Sequence, residues 1–287
     1  GTGSGLTGSV YLHQGVLSLG TLSSINARPI VFAGGSLALF LDGTRGAGTE
    51  TLLLNSGSWR ITGDATIALD RAGTGTSVGT ALYQQSVNKT VQFDTALSGL
   101  AGQTLSVNSA NGYGLKLNMP ITLVSGSAPV FAVGTASDST RVAGLTLSGI
   151  LSGGTNGATA FTKTGLGTLE LTNPGNTFQG TVEVQNGVLS TAGTGALGAV
   201  GNTVLLNPSA GLTATFRANG DAVFGGVSSF LRFGGTSPAD VRRVEVASGK
   251  TLTLDLPIDT SAAPAAPFTK AEGGTLVLSE AMGGYGG

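Results

Sequence analysis

Cysteine is absent from this chain of 287 residues, which excludes disulfides and thiolate metal sites. Histidine occurs once, as His13, so no second imidazole exists to help it hold a metal. Charged residues make up 10% of the sequence, against about 25% in ordinary domains. A net charge of −1 and a pI near 5.8 leave no basic stripe of the kind nucleic acid requires. No apolar run approaches the roughly 18 residues of a membrane-spanning helix. The opening GTGSGLTG has neither the basic nor the apolar region of a secretory leader, so a signal peptide is expected outside this chain.

Glycine and alternation are what the sequence does have. There are 49 glycines, where average usage of about 7% would give roughly 20, and the surplus reads as turn chemistry. Mean hydropathy is only +0.28, because Thr, Ser, Asn and Gly supply a neutral polar surface. Short segments alternate apolar with polar residues, the period of a half-buried strand. Such segments put Leu52, Leu54, Ile61, Ile67, Leu69, Leu105, Val107, Leu115, Leu117, Ile121 and Leu123 on an inward face. Gly34 and Gly35 turn the apolar stretch Ile30 to Leu41 between two faces, and further turns fall at Asn55 to Gly57 and Gly63 to Asp64. Arg71 to Gly79 reads as a loop, Gly193 to Gly201 as a turn-rich link, and Ser261 to Pro267 as too proline-rich for an internal ladder. The best short helix candidate is Pro238 to Arg243.

One stretch recurs along the chain, FTKTGLGTLELTNPGNTFQGTVEVQNGVLS from Phe161 to Ser190. Phe161, Thr162, Lys163, Gly167, Thr168, Leu169 and Leu171 return as Phe268, Thr269, Lys270, Gly274, Thr275, Leu276 and Leu278, and at the same offset Phe178 falls on Tyr285 and Gly180 on Gly287. Gly180, Val182, Gly187, Val188, Leu189 and Ser190 are anticipated by Gly8, Val10, Gly15, Val16, Leu17 and Ser18. Leu169 and Leu171 alternate with Thr168 and Glu170, and Val182 and Val184 with Thr181 and Glu183. Gly175, Gly180 and Gly187 punctuate the strands where the backbone turns sharply. A repeated strand, turn, strand unit cannot bury its apolar face alone and must stack on its neighbours. The expectation is one continuous rod over residues 1–287, starting and ending inside a repeat, with coils of roughly 20–25 residues rising about 4.7–4.9 Å each.

The order Lys163, Gly165, Gly167, Thr168, Leu169, Leu171, then Asn176, Phe178, Gly180, then Val182, Gly187, Leu189 resembles the autotransporter-associated β-strand repeat of type V secreted passengers. The half copies at Lys270, Gly274, Leu276 and Tyr285, and at Gly8, Val10, Gly15 and Leu17, resemble its two parts. Leu145 to Gly154 and Val244 to Leu254 look like the coils preceding the lysine segment. The resemblance implies an all-β fold, a right-handed parallel β-helix (solenoid), on the outside of a Gram-negative-type cell, extracellular or at the outer surface. It implies a stalk, spacer or adhesin scaffold without catalysis and without cofactors. The expected partners are neighbouring coils or copies of the same array, and a host-surface or polysaccharide ligand. Nucleic acid binding and membrane insertion by this segment are not expected. A self-assembling fibre or sheath subunit, polymerising head to tail, is the alternative, and a carbohydrate-binding or carbohydrate-processing β-helix is a third.

Catalytic patterns occur but lack their context. Gly75 to Gly79 matches a nucleophile elbow, yet the only histidine precedes it, whereas the triad needs one after it. Gly3-x-Gly5-x-x-Gly8 and Gly193-x-Gly195-x-x-Gly198 match a dinucleotide fingerprint without a strand before and a helix after. Asp240 with Glu245, or Asp255 with Asp259, are the candidate carboxylate pairs for an ion or for glycoside chemistry, as are Glu170 and Glu183, which occupy outward repeat positions. Trp59, Tyr11, Tyr83 and Tyr113 are the aromatics that sugar stacking would use, and core packing is the competing role for each. His13 is expected to face solvent on a strand.

Overall fold

The computed structural model describes residues 8–21, 27–43, 49–54, 56–72, 87–134, 144–225, 230–235, 237–263 and 267–279. Tyr285, Gly287, Gly3, Gly5, Asn55, Tyr83, the stretch 75–79 and residues 264–266 lie outside the described residues. Among those described, the protein is all-β. Its one helical element is a 3-10 turn, Thr194–Leu197, within the stretch read as a turn-rich link. The chain divides into two compact units, Gly1–Pro120 with Ala132–Gly149, and Ile121–Phe131 with Ile150–Gly287.

In the first unit, short strands build three parallel ladders. Val10–Leu12, Ile30–Phe32, Trp59–Ile61 and Leu97–Ser98 pair in that order. So do Val16–Leu19, Ser36–Phe40, Ala65–Asp70 and Thr104–Ser109. Glu50–Leu53, Lys89–Phe93, Gly114–Leu117 and Leu145–Leu147 form the third. The chain moves from one ladder to another and returns to each one strand further on, so neighbours in a ladder are distant in sequence. Identical parity is kept at each step: Leu37 stands opposite Leu17 and Ile67, and Ile67 opposite Val107. Because parity decides which face a side chain occupies, apolar residues superpose into continuous inward columns. All eleven residues assigned inward in this and the second unit, from Leu52 to Leu123, are buried. Trp59, paired between Ile30 and Leu97 in its own ladder, stacks on Phe93 with centroids 3.9 Å apart and donates its indole N–H to Ser56 Oγ at 3.1 Å.

The second unit repeats the scheme. Ile121–Leu123 pairs with Leu151–Thr164, which is followed by Gln179–Val184, Thr203–Leu206 and Leu231–Phe233. Thr168–Leu171, Gly187–Thr191, Thr213–Ala218, Val241–Val246 and Phe268–Ala271 form a second parallel ladder. Ala222–Phe224, Thr251–Leu254 and Thr275–Leu278 form a third. These stacked parallel sheets are compatible with a β-helix.

Two expectations need correction. The circuits are less even than 20–25 residues: Leu169 lies opposite Leu189, but Phe216 lies opposite Val244 and Ala222 opposite Leu252. The 161–190 circuit has two strands, whereas later ones carry a third, such as Ala222–Phe224, which lengthens them. The helix candidate Pro238 to Arg243 is a turn followed by the strand Val241–Val246. Asp240 carboxylate oxygens accept the N–H groups of Ser237 and Gly211, each at 3.0 Å. That closes a turn, after which Val241, Val244 and Val246 follow β-branched preference into the ladder.

Candidate functional site

The residues of the repeat gather at the two ends of its strands. In Phe161 to Thr164 the alternation puts Lys163 on the same face as Phe161, and both are fully buried. A buried ammonium needs acceptors. Nζ donates to the carbonyls of Thr164 at 2.8 Å and Gly165 at 2.7 Å, in its own turn, and to Asn186 at 3.0 Å, in the turn of the next circuit. One side chain thus ties two stacked turns together. Burial pushes its pKa down from the ordinary 10.5 to about 7, while the three carbonyls act in the opposite sense, because a neutral amine has only two hydrogens for three acceptors.

Glycine is required where these turns touch. Gly165 and Gly187 have φ of 72° and 68°. A Cβ on Gly187 would lie 2.5 Å from the carbonyl oxygens of both Gly165 and Gly167. Thr168, Leu169 and Leu171 then run into the second ladder, with both leucines fully buried and Thr168 half-buried.

The opposite corner is held by asparagine. Asn176 is buried; its Oδ1 accepts the N–H of Leu151 at 2.8 Å and its Nδ2 donates to Ala196 O at 2.7 Å, so it bridges the circuits on either side. Phe178, also fully buried, packs 5.8 Å from Phe161. Gly180 carries φ of 124° and faces Ala158 O, where a Cβ would sit at 2.6 Å. Asn202 does the same work one circuit on: it accepts from Gly180 N at 2.9 Å and donates to Phe178 O and Leu197 O, each at 2.8 Å. Sequence reading missed Asn202, although Gly175-Asn176-Thr177 recurs as Gly201-Asn202-Thr203. Val182 and Leu189 fill the core beneath these corners.

The partial copies occupy edge strands. Lys270 Nζ donates to Ala271 O at 3.0 Å, Glu272 O at 2.7 Å and Gly274 O at 2.6 Å, all in its own turn. Glu272 stands at φ 63°, where the central copy has Gly165. Leu276 is half-buried. In the N-terminal copy, Val10 and Leu17 are half-buried, Gly8 and Gly15 are exposed, and Gly15 has φ of 75° with open space around it.

Five of the six candidate carboxylates are engaged, all but Asp255. Asp240 is buried against Arg242 at 3.7 Å, whose guanidinium also donates to Gly234 O and Gly235 O. Burial lowers the Arg242 pKa and Asp240 raises it. Glu245 accepts from Arg217 at 2.6 Å and lies 3.5 Å from Arg243. Asp259 meets Arg232 at 2.9 Å, and its pKa is lowered first by the Ser261 hydroxyl and then by the Ser261 amide. Asp255 is exposed. Glu170 and Glu183 accept from the amides of Asn219 and Asn207, at 3.0 and 2.7 Å. No group of three or more metal-ligating side chains occurs among the described residues.

The aromatics divide between core and surface. Trp59 and Tyr113 are buried, and Tyr113 donates its hydroxyl hydrogen to Leu41 O. Tyr11 is 63% exposed and stacks on His13; His13 faces solvent, from the turn after its strand rather than from the strand itself. A small apolar cavity of about 90 Å³ is lined by Leu197, Val223, Phe224 and Phe230.

The chain matches none of the curated proteins and none of the solved structures with which it was compared. Residues 161–190, the segment that gathers the Lys163 cage, Asn176 and Gly187, match the family model of the passenger-associated-transport-repeat, in agreement with the autotransporter passenger repeat that the sequence resembles.

Proposed function

We propose that this protein is a structural segment of a secreted or surface-displayed autotransporter-like passenger in a Gram-negative-type bacterium, acting as stalk, spacer or adhesin scaffold and not as a catalyst. In this reading the chain winds as a right-handed parallel β-helix, the hand that parallel crossovers overwhelmingly take, and continues as a single rod. The observation that carries it is the coincidence of the 161–190 match with the residues that lock one circuit onto the next, Lys163, Gly187 and Asn176. Stiffness without disulfides follows from continuous backbone ladders and inward apolar columns. The engagement of Asp240, Glu245 and Asp259 by arginines supports a scaffold over a hydrolase, which needs carboxylates free to act on substrate.

Joining the chain to a type V outer-membrane barrel in a Gram-negative host tests export. Digestion of the chain by protease added to intact cells is the expected result; retention inside the cell while the barrel inserts would overturn the reading. Light scattering and negative-stain microscopy of the purified chain test the scaffold. A discrete elongated monomer is expected, and concentration-dependent filaments would replace it with the head-to-tail fibre.

A further inference from the structure

The sequence contains four Asn-Gly pairs, at Asn111, Asn156, Asn186 and Asn219, and the fold treats one of them differently. We propose that Asn156-Gly157 is a self-modification site, at which Asn156 converts to aspartate or isoaspartate while the other three pairs are protected. In this chemistry the backbone nitrogen of Gly157 attacks Cγ of Asn156, forming a C–N bond as the Cγ–Nδ2 bond breaks. The side-chain nitrogen leaves as ammonia, carrying the proton from the Gly157 amide. Water, the one co-reactant, then opens the cyclic imide at either carbonyl. Isoaspartate results when the main chain is left running through the former side chain, one carbon longer.

Three of the pairs are fixed. Asn111 Nδ2 donates to Asp70 Oδ1 at 2.6 Å, and Asn111 O accepts the N–H of Asn88. Asn219 Nδ2 donates to Glu170 and to Ser190 Oγ, and its own N–H to Thr191 O. Asn186 is half-buried, its carbonyl is gripped by Lys163, and Gly187 is wedged against Gly165 and Gly167.

Asn156 and Gly157 are both exposed, and nothing lies within 4 Å of a Cβ placed on Gly157. No side-chain partner holds Asn156 among the described residues. The pair sits in a bulge of the strand Leu151–Thr164: Gly154 stands opposite Gln179 and Thr159 opposite Thr181, so residues 155–158 share Gly180 alone across the pairing. An added backbone carbon there leaves the flanking register intact, whereas at Asn186 it would break the stacked turns. The product places a new negative charge on a surface otherwise poor in charge.

The full chain is incubated at neutral pH, natively and in urea, then digested with trypsin. The peptide 142–163 contains Asn156 as its sole amide side chain, so a gain of about 1 Da reports the conversion there. In the native chain, conversion at Asn156 is expected to exceed that at each other pair by at least about tenfold, because the others react only after local opening; in urea the four rates converge. Native rates that are equal, or slower at Asn156, would overturn the proposal. So would a mass gain in peptide 142–163 that persists in Asn156→Gln, a variant that leaves the backbone unchanged.

Discussion

Replacing Lys163 with methionine keeps the buried stem and removes the ammonium. Three carbonyls, of Thr164, Gly165 and Asn186, lose their donor. A hydrogen bond from a charged group contributes about 1.5–3 kcal/mol net. Three that share one donor do not add fully, and relief of the buried charge returns part of the loss, so about 3 kcal/mol is expected from these terms. Stacked repeats need not unfold as one unit, so the loss is best read locally, by hydrogen exchange. The amides of Gln185 and Val188, bonded to Lys163 O and Gly167 O, should exchange roughly 100-fold faster, as about 3 kcal/mol implies. A second arm uses pH. The folded pKa is depressed to about 7 from 10.5, so between those values the unfolded chain binds more protons and stability rises with pH. The desolvation cost of the charged form is carried in full below about 7 and is relieved as pH rises to about 10.5. Lys163→Met should abolish that slope. Unchanged exchange at Gln185 and Val188 would refute the bridging role of Lys163, whatever the effect on global unfolding.

Leu169→Ala, in a fully buried column, should cost about 2–5 kcal/mol by urea titration, and Leu276→Ala, half-buried at an edge strand, distinctly less. Gly187→Ala must place a Cβ 2.5 Å from two carbonyl oxygens, so its loss should exceed that of Gly15→Ala, which has similar φ but open space and costs only the left-handed penalty of about 1–2 kcal/mol; equal melting shifts would contradict turn-on-turn contact. Asn176→Ala orphans Leu151 N and Ala196 O, about 1–3 kcal/mol for each group left unpaired, measurable as faster exchange at Leu151. Asp259 has a depressed pKa, so its contribution is present above the ordinary carboxylate range and is lost as pH falls through the folded value; Asp259→Asn should flatten that part of the acid titration.

Much of this was legible where alternation ran long enough to fix parity. Leu169 with Leu171 and Val182 with Val184 are inward as their neighbours dictate. The strand Ala222–Phe224, which adds a third side to its circuit, is not legible, because it spans three residues and offers no repeat of the period. Repeat spacing picks out Lys163 but gives it no role, since lysine normally belongs to water; parity with Phe161 is the signal that it points inward. Asp240 and Arg242 misled more thoroughly. The stretch Pro238 to Arg243 reads as a short helix in sequence, and only the backbone groups of Ser237, Gly211 and Gly234 converging on its charges reveal a buried turn. Tertiary partners of that kind leave no trace in local composition.

The apolar columns alone do not choose a register. Among the described residues, stacked strands present apolar side chains at matching parity, so a circuit displaced along its neighbour by two residues still buries apolar side chains. The corners do discriminate. Lys163 reaches Asn186 O only if the two turns stack in register, and Gly187 alone tolerates the resulting contact with Gly165 and Gly167. Asn176 and Asn202 each find their partners on adjacent circuits only in the same alignment. A slipped circuit would leave these buried amides and the ammonium unsatisfied, at several kcal/mol. The polar residues of the repeat therefore serve less to add stability than to penalise the wrong stack, and that accounts for their recurrence at fixed spacing within an interior that is otherwise permissive.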